Sequence, residues 1–164
     1  MLDEMPRDRV AELVSAAAYG SVLVLAALTA IGVSDVALGH GSEIVAGVGL
    51  ATWVAHLFAE LLGAHVRDIE PLHRHEVVRA AIDGSPILVA TVIPASVLGL
   101  ARADLVSDGT ARVLAIVVAV VQLFVIGAFV ASSARVPRAT KWTFALVTAS
   151  VGVAVVLVTV LLGH

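Results

Sequence analysis

Five stretches of this chain are each long and apolar enough to cross a lipid bilayer, and this constrains the fold more than any other feature. About 20 consecutive apolar residues are needed to span the ~30 Å hydrocarbon core. The stretches lie near Leu13–Ile31, Ile44–Val66, Ser85–Ala103, Val113–Ser132 and Trp142–Leu162. Each reads as a helix. The expected fold is an all-α integral membrane bundle of five transmembrane helices, forming a single domain over residues 1–164. Composition agrees. Sixty per cent of residues are apolar, 14% are charged and the mean hydropathy is +1.04, whereas a soluble domain carries about 25% charged residues.

The placement of Lys and Arg sets the expected orientation. Arg7 and Arg9 precede the first span, Arg67, Arg74 and Arg79 follow the second, and Arg135, Arg138 and Lys141 follow the fourth. All eight fall on one side, against Arg102 and Arg112 on the other. The N-terminus is therefore expected inside and His164 outside. The mixed-charge start does not resemble a cleaved signal, so the first helix is expected to be retained. Residues 1–12 read equally as a short surface helix, with Met5, Val10 and Leu13 on its apolar side, or as a frayed terminus. The Ala, Val and Arg bias is that of a GC-rich bacterial genome, which points to a bacterial plasma membrane.

Several chemistries are excluded or unexpected. There is no cysteine, so disulfides, thiolate catalysis and cysteine-based zinc sites are out. The net charge of −3 is small and leaves no nucleic-acid footprint. No phosphate loop, serine elbow or zinc-protease helix appears, so neither an enzyme nor a bound cofactor is expected.

The polar loop 67–82 holds Arg67, Asp68, Glu70, His73, Arg74, His75, Glu76 and Arg79, and Pro71 interrupts it. One or two helical turns are expected from Glu76 to Ile82. Asp83-Gly84-Ser85-Pro86 then reads as a helix start, with Gly84 turning, Ser85 capping, Pro86 in the first position and Asp83 at the interface. Pro94 sits mid-way along the third span and deprives the Ala90 carbonyl of its donor. Small residues at helix-contact spacing, Ala16 and Gly20, Gly49 and Thr52, and Ala145 with Ala149 and Gly152, point to close helix packing.

The strongest chemical signal is in the second span. His56 falls near the bilayer midplane, and Glu60 lies one turn, about 6 Å, nearer the cytoplasm. The four-residue step puts both on one face, which Gly49, Thr52 and Gly63 extend. An acid at membrane depth costs about 3 kcal/mol on insertion scales. Glu60 must stay protonated, as desolvation favours, or pair with a cation. Either state suits a proton relay or cation site, and His56 suits a proton carrier or nitrogen ligand. The competing reading is a buried hydrogen bond that only fixes packing. Tyr19 and Gln122 are weaker candidates for the same interior path. His65 and Asp68 continue the polar face, and His73 and His75, with Glu70 and Glu76, are candidates to collect a divalent metal at the mouth.

Tyr19-Gly20, Trp53-Val-Ala-His56 and Ala59-Glu60 resemble a group of uncharacterised small membrane proteins from GC-rich Gram-positive bacteria, which implies no function. A remoter resemblance is to the vacuolar iron transporter family. It rests on five N-in, C-out spans, a small-residue-rich second helix beginning Gly49-Leu50-Ala51, a proline-containing third and a basic fourth-to-fifth turn. In that alignment His56 falls at the family's mid-helix acid, Glu60 at its methionine and Gly63-Ala64 at its Gly-Glu. Tyr19-Gly20 replaces its Asp-Gly, and the long acidic insertion shrinks to residues 67–82. The resemblance implies a polar site at His56 and Glu60 and a dimer, without implying iron transport.

The resulting expectation is transport or permeation of a small cation, a proton or a divalent metal such as iron or manganese, past His56, Glu60, Tyr19 and Gln122. Metal would enter as substrate, with His56 and Glu60 as ligands. The alternative is a non-transporting scaffold or accessory subunit in a homo-oligomer, dimer favoured, where the His–Glu pair is structural. A lipid- or quinone-interacting helper is a third reading.

Overall fold

The computed structural model describes residues 7–67, 73–133 and 138–162. Helix α1 is Arg7–Ala30, the short α2 Val33–Ala37, α3 His40–Arg67, α4 Arg74–Asp83, α5 Ser85–Arg102, α6 Asp108–Ser133 and α7 Arg138–Leu162. All described secondary structure is helical. Five helices, α1, α3, the α4–α5 pair, α6 and α7, are long and apolar enough to span a membrane.

Helix α1 is the hub, touching α3, α5, α6 and α7. Its buried stripe of Ala16, Ser21, Val24, Leu25 and Leu28 recurs at helical spacing and faces these partners. Helix α3 packs on α1 and α5, and α7 packs on α1 and α6. Among the described residues α3 touches neither α6 nor α7. Helices α3 and α7 therefore form opposite flanks, each presenting a broad apolar face outward, such as Leu50, Val54 and Phe58 on α3 and Leu146, Val153 and Leu157 on α7. Outward apolar side chains on every span are what a lipid solvent requires, because the hydrophobic effect gives them no reason to hide.

Small residues make the inner contacts close. A Cβ on Gly20 would stand 3.0 Å from Ile87 Cα, and one on Gly49 would collide with the Thr91 side chain. Gly152 lies against Leu123, and Gly127 lies against Thr148 and the backbone of Ala145. The buried hydroxyls serve their own helices: Ser21, Thr29, Thr52 and Thr91 each donate to a carbonyl one turn back.

Both connections on the side away from the N-terminus are tied down. After Ala30 the chain turns into α2, and Arg112 of α6 donates to Ile31 O at 2.7 Å and Thr29 O at 3.0 Å. A guanidinium there satisfies carbonyls left open at the end of α1 and complements its dipole. Arg102 at the end of α5 donates to Glu43 at the start of α3, 3.1 Å away.

Three local expectations change. Helix α1 begins at Arg7, so the described part of the first 12 residues belongs to the first span; residues 1–6 lie outside the described residues. Arg74, rather than Glu76, begins the helix before Asp83. Ser85 does not cap: Gly84 holds helical dihedrals, its N–H donates to Ala80 O, and α4 runs almost without a break into α5.

Candidate functional site

Helix α3 positions the central pair. Gly49 and Thr52 turn inward, where Gly49 admits Thr91 and the Thr52 hydroxyl is used on Val48 O. That rotation carries His56 and Glu60 to the margin of the α3–α5 seam. His56 Nε2 stands 3.5 Å from Glu60 Oε2, and the two side chains are 30% and 36% exposed. On the protein side, the His56 ring lies against Gly84, and the Trp53 indole N–H donates to Ala81 O at 3.1 Å. The face therefore splits: Gly49 and Thr52 are packed, while the ionisable pair borders the outside of the bundle. The expectation of one continuous interior polar face is corrected by this rotation.

Depth follows from helix rise. Along α3, Glu60 lies about 25 Å and His56 about 20 Å from Glu43, which pairs with Arg102. A ~30 Å hydrocarbon layer that began at Glu43 would end near Glu60, with His56 inside it.

Gln122 does not join the pair, and Tyr19 faces outward. Tyr19 is 55% exposed, beside the buried stripe of α1 and not in it. Gln122 is on α6, which has no described contact with α3. It lines an apolar groove of about 580 Å³ with Ser21, Pro86, Ala90, Ile93 and Val118, and its Oε1 is buried without a hydrogen-bond partner. Gln122 therefore lies apart from the His56–Glu60 pair, and Tyr19 faces outward from α1.

His73 and His75 are exposed, with rings stacked 5.5 Å apart and 15° from parallel. Glu76 turns back to accept from the His73 backbone N–H at 2.8 Å. His65 is exposed, and Asp68 and Glu70 lie outside the described residues. Among the described residues, no three His, Asp or Glu side chains gather as a metal site.

Sequence reasoning missed a second polar centre. Asp83, expected at the interface, is buried within the protein, with a side chain 7% exposed. Arg9 reaches its Oδ1 through Nε at 3.2 Å and Nη2 at 3.1 Å, and Arg79 Nε is 3.5 Å from Oδ2. Burial of the carboxylate is compensated by two guanidiniums, as a buried charge requires. The four-residue step from Arg79 to Asp83 was a legible signal. Arg9 was not, since it comes from a different helix.

Compared with family models, curated proteins and solved structures, the chain has no significant match in any of the three. The two family resemblances rest on the residues quoted for them alone.

Proposed function

We propose that this chain carries a proton or small cation across a bacterial plasma membrane, N-terminus inside, with Glu60 as the carrier and His56 as its proton partner or co-ligand. One observation supports this above others. An imidazole and a carboxylate meet at 3.5 Å on a membrane-spanning helix, each about a third exposed, on a flank that is otherwise apolar. Intramembrane ionisable groups need a partner or a polar cavity, and hydrocarbon offers neither. The inside orientation draws on the eight-to-two asymmetry of Lys and Arg.

A second copy would provide the missing cover. Beside the pair, Gly47, Ala51, Ala55 and Ala59 are exposed at four-residue intervals, with Gly63 continuing the row half-buried. Such rows let helix backbones approach closely. Two-fold packing along α3 would bring two His–Glu pairs together and raise the candidate metal ligands from two to four. With one copy, the two side chains favour a proton over a metal ion, because structural and transported divalent cations take more ligands.

Flux from liposomes holding the purified protein tests the proposal. Wild type should dissipate an imposed proton gradient, and Glu60→Gln should slow this roughly a hundredfold, the scale of losing one positioned proton-transfer group. Absence of flux for protons, iron and manganese, or unchanged flux in Glu60→Gln, would overturn it.

The scaffold reading has its own support in the separation of Gln122 from the pair. It predicts that replacing both His56 and Glu60 impairs assembly with no separable activity to lose.

A further inference from the structure

Helix α4 carries a surface the His–Glu pair does not use. Arg9, Arg74, Arg79, His73 and His75 surround an open depression of about 690 Å³ whose remaining wall is Val78 and Ile82. The charge there is unbalanced. Asp83 is committed to Arg9 and Arg79, and Glu76, the other carboxylate of α4, faces the His73 N–H. Among the described residues the Arg74 guanidinium has no hydrogen-bond or ion-pair partner. Among the described residues, the lining holds three guanidiniums and no carboxylate, with Asp83 and Glu76 the acids of α4 beside it.

The depth of this surface narrows what it can meet. Asp83 is about 28 Å along α5 from the Arg102–Glu43 pair, close to the thickness of the hydrocarbon core. The depression thus opens at headgroup level on the N-terminal side. Val78 and Ile82, one turn apart on α4, are 48% and 53% exposed beside the basic groups. The Trp53–Ala81 hydrogen bond and the Arg9–Asp83 pair fix α4 to the bundle, so the arrangement is preformed.

We propose that this depression binds an anionic phospholipid, its phosphate on Arg74 and Arg79 and its chains running over Val78 and Ile82. Guanidiniums match phosphate oxygens in a bidentate manner, and basic groups near a membrane surface attract anionic lipid. A free phosphate would use the guanidiniums but not the two aliphatic side chains, which is why the lipid is the occupant.

The test uses the full chain purified in neutral detergent. Phosphatidylglycerol, phosphatidylcholine or inorganic phosphate is added, with bound lipid counted by native mass spectrometry and the melting temperature recorded. Phosphatidylglycerol should be retained and raise the melting temperature, whereas phosphatidylcholine and inorganic phosphate should not. Arg74→Gln should cut phosphatidylglycerol retention about fivefold, the effect of one basic residue near an anionic surface, and leave the protein folded. Equal retention of both lipids, unchanged retention in Arg74→Gln, or equal stabilisation by inorganic phosphate overturns the proposal. Should the variant not fold, high salt with wild type decides: phosphatidylglycerol must be lost where the site is ionic. None of these readouts depends on flux, so they stand apart from the transport proposal.

Discussion

Arg9 and Asp83, 74 residues apart, are joined by two contacts of 3.1 and 3.2 Å that fasten the start of α1 to the junction of α4 and α5. The carboxylate is buried and the guanidinium only partly so, which sets what its loss should do. Asp83→Asn keeps the shape but leaves Arg9 and Arg79 facing each other without an anion. It should cost about 2 kcal/mol of stability, the range for a hydrogen bond to a charged group, read as a shifted denaturant midpoint in detergent. Arg79→Gln should cost under about 1 kcal/mol, because its side chain is 67% exposed and 3.5 Å away.

The Arg112 clamp makes a separate prediction. Its guanidinium meets the Ile31 and Thr29 carbonyls at once, a fork that an ammonium does not reproduce. Arg112→Ala should lower stability by about 1–2 kcal/mol, with Arg112→Lys in between. Hydrogen exchange should rise first at the end of α1.

Why some of this was legible in the sequence and some was not follows from particular residues. The spans announce themselves because crossing a bilayer demands a length of apolar chain, a one-dimensional requirement. Facing is a different matter. In water an apolar stripe marks the buried side; in lipid both sides of a helix are apolar, so Tyr19 and Gln122 carried no mark of where they point. Small residues carried more information. Gly20, Gly49 and Gly152, all singled out by spacing, do lie in helix contacts. The same spacing rule should also have raised Gly47, Ala51, Ala55 and Ala59, which stay exposed. The burial of Asp83 left no mark in the sequence, because its partner Arg9 is remote along the chain.

Glycine substitutions on α3 should divide sharply by face. A methyl at Gly49 runs into Thr91, on a side where α5 leaves no room. Gly49→Ala should therefore destabilise by about 1–3 kcal/mol, the usual cost of overpacking a close contact. Gly47 has open space around its would-be Cβ, so Gly47→Ala should leave the single chain's stability unchanged or slightly improved. Denaturant midpoints of the two variants, compared in the same detergent, check the contrast. Equal effects would mean that α3 is rotated from the orientation described.

The exposed row on α3 makes the oligomer testable with unusual clarity, because the chain has no cysteine of its own. Ala55→Cys and Ala59→Cys each place a lone thiol on that row, and Leu157→Cys places one on the outer face of α7, where Leu157 is 57% exposed. A disulfide needs Cα atoms within about 7 Å, a separation reached only where two helices pack through small residues. If two copies meet through α3, mild oxidation in membranes should convert most of Ala55→Cys or Ala59→Cys to a dimer on a non-reducing gel. Leu157→Cys should stay monomeric. Replacing Ala51 with Leu in the same background should abolish the cross-link, since a larger side chain separates the helices. Efficient cross-linking through position 157 and none through α3 would place the contact on the opposite flank. His56 and Glu60 would then face lipid without cover from a second copy.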